Sequence, residues 1–282
     1  LDILKQGVNV WNKWRKKHPE VRLDLRKANL NQAKLHKAAL CQVDLRRADL
    51  SNADLSQADL TEANLGYANL KEASLNEANL SRANLRHANL RQANLSGANL
   101  SQANLLVANL LGAHLFHTNL GRANLTRANL GQATLWLANL SETNLHAAKL
   151  RGAHLTEATL HKADLSRADL VSADFTGADL RNANLSEANL RASKLVKTNL
   201  AEANLTGCYV YAISAWDIQL KGATQDNLVI TPDDEPIITV DNLEVAQFIY
   251  LLLNHKKLRD VLDAVTGRGV LILGRFGDGG LE

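Results

Sequence analysis

The sequence predicts an all-β solenoid, in which short strands wind into a coil around an apolar axis. From Val21 to Leu205 it can be read as 37 consecutive pentapeptides, whose fifth residue is Leu in 36, with Phe175 the exception. Their third residue is Ala in 31 of the 37. A period of five fits neither an unbroken helix nor an unbroken strand, so each unit must contain a corner.

Within each unit, Ala and Leu are two residues apart, and such residues point to the same side of an extended segment. We therefore expect Ala and Leu to face inward. The Asn or Asp between them and the two residues after Leu then face outward. Asn and Asp also suit corners, because their side chains bond nearby backbone groups. Successive turns of such a coil pair in parallel, for which right-handed winding is the strong expectation.

Nearly every unit matches the motif A(N/D)LXX, and the run therefore resembles the pentapeptide-repeat family over about two thirds of the chain. The resemblance implies a right-handed quadrilateral parallel β-helix with four pentapeptides in each twenty-residue coil. About nine coils would then make a rod roughly 45 Å long. Leu and Ala should close its axis, which leaves the outer walls, the ends and the tail for function.

The composition argues against an enzyme. Hydrophobic residues make up 46% of the chain but aromatic residues only 4%, and Met is absent, whereas ordinary cores mix side-chain shapes to fill irregular gaps. The sequence contains no paired catalytic carboxylates, no nucleophile with its base and no phosphate loop, so we expect no catalysis and no cofactor. The longest apolar run, Phe248 to Leu253, is far short of a membrane span. With only Cys41 and Cys208, a cytoplasmic protein is expected.

Three regions are predicted: residues 1–20, 21–220 and 221–282. In the first, Leu4, Val8 and Trp11 are spaced as on one face of a helix that stops before Pro19. We interpret this helix as a lid on the first coil. Because its polar residues are basic, a helix lying on a membrane surface is the alternative. The second region is the β-helix.

The third region is a small α+β segment. Residues 227–231 and 236–240 form a predicted hairpin around Pro232. Asp241 and Glu244 resemble a capping box that opens a helix to about Asn254. A second helix over about 256–264 and a strand over 270–273 complete the prediction.

The tail also resembles the joint, in some bacterial pentapeptide-repeat proteins, between the solenoid and a C-terminal α/β domain of Toll/interleukin-receptor type. The segments that carry this resemblance are TVDNLEVAQFIYLLLN, which begins at Thr239, and VLILGRF, which ends at Phe276. The resemblance implies that this chain is the stem of a signalling or effector protein. The chain lacks an initiator Met and ends in Gly-Leu-Glu, so we expect the natural chain to be longer; whether it continues past Phe276 into an effector domain stays open.

Outward apolar residues gather midway along the repeat and form the first candidate for a partner-binding surface. Phe116 and Trp136 are twenty residues apart, hence stacked, and clustered aromatics mark contact surfaces. The expected partner is another protein or a second copy of the chain, and the alternative is a ladder that only stabilises the sheet. His114, His117 and His154 share this wall, but without converging ligands no metal is expected. The candidates are Leu106, Val107, Leu111, Phe116, Trp136 and Leu137.

A basic wall is the second candidate, because stacked cations suit a polyanion. Asp24, Asp44 and Asp49 lie near its early arginines and should neutralise them, and only Tyr67 offers a ring for base stacking. Nucleic-acid binding is therefore disfavoured. The wall comprises Arg26, Lys27, Arg46, Arg47, Arg86, His87, Arg127 and Arg167.

The leading functional prediction is a rigid, non-catalytic scaffold that binds another protein. The runner-up is a DNA-mimicking gyrase inhibitor, a role that some pentapeptide-repeat proteins play. Mimicry needs strong negative charge, whereas residues 21–205 hold 21 Lys and Arg against 16 Asp and Glu. An enzymatic role would belong only to a domain beyond Phe276.

Overall fold

The computed structural model describes residues 2–21, 23–232 and 234–257. Two helices, α1 (Asp2–Lys5) and α2 (Val8–Lys17), precede the repeat. Strands β1 (Leu228–Val229) and β2 (Thr239–Val240) and helix α3 (Leu243–Asn254) follow it. The predicted strand over 270–273 and nearly all of the predicted second helix lie outside the described residues.

The repeat folds into a four-sided parallel β-helix, because each central residue of a pentapeptide bridges the residue twenty positions later. Four ladders result, which we call faces 1 to 4 and which begin at Asp24, Asn29, Lys34 and Ala39. The first ladder reaches Thr224, one coil beyond the regular Leu and Ala register. Ten steps of ~4.8 Å give a rod of about 48 Å.

The axis of the rod is filled with side chains. From Ala38 to Leu205, every inward side chain is at most 1% exposed, including Phe175. This confirms the predicted closed axis. Where Thr replaces Ala, its hydroxyl donates to a backbone carbonyl of the preceding coil, as Thr118 Oγ1 does to Leu95 O at 2.8 Å. The interior therefore has no room for a substrate.

The corners are formed by the two residues after each Leu, and the second of them has a left-handed backbone. Gln32, for example, has φ of 57°, a conformation that costs a non-Gly residue about 1–2 kcal/mol. Two hydrogen bonds offset this cost. Ala98 N donates to Leu95 O across the corner at 2.9 Å, and Ser96 N donates to Asn94 Oδ1 at 3.1 Å. The central Asn or Asp thus lies in a strand and holds the corner that follows it.

The N-terminal segment covers the first coil, but as two helices and not the single predicted one. The chain breaks at Gly7, whose φ of 104° favours glycine. Trp11 is only 1% exposed, and its Nε1 donates to Ala39 O at 2.8 Å. Asn12 Oδ1 accepts from Ala39 N at 2.8 Å. Helix α2 therefore provides hydrogen-bond partners for the backbone groups of the strand edge on face 4, which has no coil beneath it. A lid should do this.

At the other end, β1 continues face 2, because Val229 bridges Tyr209, and it also pairs antiparallel with β2 in the predicted hairpin. Helix α3 then packs over the last coil, and its Gln247 Oε1 accepts a hydrogen bond from Ala215 N. The predicted cap residue is wrong. Asn242 Oδ1 accepts from Val245 N at 2.9 Å, whereas Asp241 accepts from Asn227 N.

Candidate functional site

Four outer corners carry the side chains that can meet a partner. Corner 1 contains residues 26 and 27 and every twentieth residue after each, and corners 2, 3 and 4 begin likewise at residues 31, 36 and 41. Corner 1 is diagonally opposite corner 3, since four corners complete each coil. This register decides which of the predicted site residues lie together.

Phe116 and Trp136 are stacked on corner 3, as their twenty-residue spacing predicts. Their ring centroids are 5.1 Å apart, and the His117 and Phe116 rings are packed edge to face with their centroids 4.3 Å apart. Phe116 is 37% exposed and Trp136 is 47% exposed. Leu137 follows Trp136 on the same corner and is half-buried. The pair thus contacts itself and still offers a large apolar surface to solvent.

The other predicted apolar residues do not join this pair. Leu111 lies on corner 2, across face 3 from Phe116. Leu106 and Val107 lie on corner 1, on the opposite edge of the rod. The prediction of one patch is therefore wrong for these three residues. Residues of one coil can be close in sequence and still lie on different corners of the rod.

Sequence reasoning missed two apolar residues that do share corner 3. Val196 and Trp216 lie three and four coils above Trp136 in the same column, and Trp216 is 55% exposed. The two intervening positions carry Thr156 and Thr176, so the upper half of this corner holds no charged residue in that column. We call Phe116, Trp136, Leu137, Val196 and Trp216 the apolar ridge. The twenty-residue register, applied to the whole chain, would have found it.

Face 3 lies beside the ridge and presents two of the three histidines that the sequence singles out, whereas His117 lies on corner 3. His114 and His154 flank Thr134 on one ladder, and His114 Nδ1 is 3.5 Å from the Thr134 hydroxyl. In the described part of the chain, no group of three His, Cys, Asp or Glu side chains is arranged to hold a metal ion. Within the same residues, no helix is long and apolar enough to cross a membrane.

The lower basic wall on corner 1 is partly neutralised by its own carboxylates. Arg26 pairs with Asp24 at 2.5 Å, and Arg46 pairs with Asp44 at 2.6 Å. The Arg26 side chain lowers the pKa of Asp24 to about 2, and Arg46 likewise lowers the pKa of Asp44. Asp49 was expected to take part but does not. It accepts from Ser51 and Asn69 on face 2.

Lys27 and Arg47 stand beside these pairs around a shallow depression of about 280 Å³ that Tyr67 closes. The Tyr67 ring, although 56% exposed, already has two partners. His87 stacks on it at 4.7 Å, and the Arg47 guanidinium lies 5.7 Å from its centroid. A nucleic-acid base would have to displace one of them to stack there.

Higher on corner 1, the basic wall is interrupted. Val107 and Ala147 occupy its column, and Arg167 is paired with Glu187 at 2.9 Å. Arg86 and Arg127 have no carboxylate within 4 Å among the described residues. The wall is thus a basic lower end followed by separated charges, and not a continuous stripe for a polyanion.

Comparison with known proteins places the fold in a family. The family model for pentapeptide repeats matches in eight copies over residues 24–61, 53–92, 93–132, 138–177 and 173–209. A search of curated proteins finds no significant match. These comparisons indicate no catalytic family.

Solved structures agree with the family model. The crystal structure of HetL, a pentapeptide-repeat protein involved in heterocyst differentiation regulation from the cyanobacterium Nostoc sp. strain PCC 7120, is 33% identical, with a TM-score of 0.61. The match covers 80% of this chain and 98% of HetL. QnrB1, a plasmid-mediated fluoroquinolone resistance protein, is 20% identical over 67% of this chain and 89% of its own, with a TM-score of 0.28.

A pentapeptide-repeat protein of the Arabidopsis thaliana thylakoid lumen is 24% identical, with a TM-score of 0.25 over 55% of this chain and 90% of its own. The proteins of this family form right-handed quadrilateral β-helices, which is the fold that the repeat predicts and that the four ladders display. The chain belongs to the pentapeptide-repeat family.

Proposed function

We propose that this protein is a non-catalytic, rigid scaffold that binds another protein through the apolar ridge on corner 3. The observation that carries the proposal is the exposure of Phe116 and Trp136 together on a rod whose corners are otherwise mostly polar. Large aromatic side chains supply much of the binding energy at protein interfaces. The filled axis leaves only outer surfaces for recognition.

A purely stabilising ladder is the alternative explanation for the aromatic pair. Cross-strand pairs of this kind contribute roughly 0.2–1 kcal/mol to a sheet. Neighbouring coils do without such a pair, since the same column carries Ser96 below it and Thr156 above it. Trp216, which has no ring partner among the described residues, is 55% exposed and gains nothing from a ladder. A contact surface accounts for both the pair and Trp216.

The two rival functions have less support. A DNA mimic needs a strongly negative surface, but the repeat region carries an excess of Lys and Arg. A polyanion binder needs available cations, but Arg26, Arg46 and Arg167 are paired with carboxylates, and His87 already stacks on the Tyr67 ring. HetL is involved in the regulation of differentiation, and a regulatory contact fits the proposed role.

The role of the rod as a stem rests on the resemblance of the tail alone. In that proposal the scaffold positions a signalling or effector domain that follows Phe276. The coding sequence downstream of Phe276 tests it, and a stop codon directly after Glu282 would remove it. We also propose that the protein is located in the cytoplasm.

The contact surface can be tested with a photo-crosslinking amino acid at Thr156, one coil above Trp136 in the column of the ridge, and at Ala147 on the opposite corner as the control. We expect a protein adduct from position 156 and none from position 147. Mass spectrometry of the adduct identifies the partner, or a second copy of the chain. Equal adducts from both positions would contradict the proposal.

The purified partner then allows the affinity to be measured. Phe116→Ser and Trp136→Thr introduce residues that neighbouring coils already carry at these positions, so the rod should keep its fold. A hot spot worth about 2 kcal/mol predicts a loss of affinity of roughly thirtyfold. The matched control is Val107→Thr, which removes an exposed apolar residue from corner 1. An unchanged affinity in both ridge variants would refute the proposed site.

A further inference from the structure

Charge is separated along the sequence. Residues 1–47 contain twelve Lys and Arg but four Asp and Glu, a formal charge of +8. Residues 48–205 contain fourteen of each sign and are neutral. Residues 206–282 contain six Lys and Arg but eleven Asp and Glu, a formal charge of −5. The small total of +3 therefore hides two ends of opposite sign.

The N-terminal end exposes cations that are not neutralised within the molecule. Lys13 and Lys17 lie on α2, and Lys27, Lys34 and Lys37 project from the first coil. All five are exposed. Among the described residues, no carboxylate lies within 4 Å of any of them. Their charge is thus available to an external anion.

The C-terminal end likewise exposes carboxylates that have no oppositely charged partner nearby among the described residues. Asp217 and Asp226 lie on the last coil, Asp234 and Glu235 lie in the hairpin, and Glu244 is in the first turn of α3. All five are exposed, and in the described part of the chain none of them has a Lys or Arg nitrogen within 4 Å. The two ends are therefore electrostatically complementary.

Each charged end also carries exposed apolar side chains. On α2, Val10 is 42% exposed and shares a helix face with Lys13 and Lys17, which follow it by three and seven residues. At the opposite end, Ile237 is 71% exposed and Phe248 is 49% exposed. Apolar side chains surrounded by charges of one sign suit a surface with the opposite charges.

From these observations we infer that the rod binds a second copy of itself end to end, with the basic N-terminal end of one molecule against the acidic C-terminal end of the next. Like ends repel, so the contact is heterologous. A heterologous contact that does not close into a ring extends into a linear chain of subunits. Trp216, the last residue of the apolar ridge, adjoins Asp217 and lies at this contact, whereas Phe116, Trp136 and Leu137 lie along the side of the rod and stay accessible.

Sedimentation equilibrium at low and high ionic strength tests the inference. At about 10 mM salt charges interact over ~30 Å, whereas at about 1 M they are screened within ~3 Å. We expect a weight-average mass that rises with concentration above 30.8 kDa in low salt and returns to the monomer in high salt. A monomer at every concentration in low salt would overturn the inference.

Two charge-reversal variants then locate the contact. The basic-end variant carries Lys13→Glu, Lys27→Glu and Lys37→Glu, and the acidic-end variant carries Asp217→Lys, Asp226→Lys and Asp234→Lys. The corner changes should be tolerated, because Glu62 and Lys197 already occupy second corner positions with φ near 55°. We expect each variant alone to remain monomeric in low salt.

An equimolar mixture of the two variants should associate again, because each now offers the charge that the other lacks. This rescue also shows that both variants are folded. The control reverses Arg127, Arg151 and Lys162 to Glu, which changes the net charge equally but only in the middle of the rod, and it should associate like the wild type. A mixture that stays monomeric, or a control that loses association, would refute the end-to-end contact.

Discussion

Two buried hydroxyls in neighbouring pentapeptides allow a test of how the axis tolerates polar groups. Ser193 and Thr198 both replace Ala at an inward position, and both are fully buried. Thr198 Oγ1 donates to Phe175 O at 2.9 Å, whereas Ser193 Oγ has no hydrogen-bond partner among the described residues. Truncating each residue to Ala should therefore change stability in opposite directions.

The magnitudes follow from these contacts. Burying a hydroxyl without a partner costs about 1–3 kcal/mol, so Ser193→Ala should stabilise the rod by about 1 kcal/mol or more. Thr198→Ala removes a hydrogen bond worth about 1 kcal/mol and a buried methyl group worth about as much. Phe175 O keeps the hydrogen bond from Ala178 N at 2.9 Å, so no new unsatisfied group adds to this loss.

Native-state hydrogen exchange is the appropriate assay, because long repeat arrays often unfold in more than one step. In a solenoid a local change acts mainly on adjacent coils. The amides of Leu195 and Leu200 should exchange at least about fivefold more slowly in Ser193→Ala, for about 1 kcal/mol, and about thirtyfold faster in Thr198→Ala, for about 2 kcal/mol. The amide of Leu65, far down the rod, serves as the control. Faster exchange in Ser193→Ala would show that the reasoning about unpaired hydroxyls is wrong.

Three further outcomes are expected. Burial raises the pKa of Cys208 to about 12, so a thiol reagent at pH 8 should modify Cys41 alone until urea is added, which labelling stoichiometry measures. Because Arg26 lowers the pKa of Asp24 from 3.8 to about 2, its contribution to stability is present above pH 4 and is lost as the pH falls toward 2. The thermal midpoint of Asp24→Asn should therefore depend less steeply on pH in that window, and an unchanged slope would contradict this. Asn12→Ala should destabilise the first coil by about 1–2 kcal/mol, seen as faster exchange of the Ala39 amide, because it removes two hydrogen bonds to the lowest strand edge.

The sequence is sufficient for the rod because one rule, repeated 37 times, determines both the inward face and the corners. The ends follow no such rule. The break at Gly7 and the choice of Asn242 as the cap depend on how each helix meets the adjacent coil. A helix pattern in isolation carries no information about that contact, so the sequence predicts the helices but not their limits.

The candidate site was predictable in part. Phe116 and Trp136 were placed correctly because their twenty-residue spacing equals one coil. Leu106 and Val107 were grouped with them only because they are near in sequence. Each pentapeptide lies a quarter of a coil from the next, so near neighbours in sequence lie on different corners. Side-chain pairing, such as that of Asp49 with Ser51, depends on rotamers and distances that no periodicity encodes.

The direction of the hydrogen bonds between coils determines how the molecule would respond to a pulling force. Nearly all of these bonds run along the rod, so tension applied at the two termini loads the terminal coil first and then each next coil in turn. Every detached coil releases twenty residues, which extend by roughly 65 Å in place of a single ~4.8 Å rise. The rod should therefore lengthen in regular steps under tension. Each step would limit the force transmitted between its two ends.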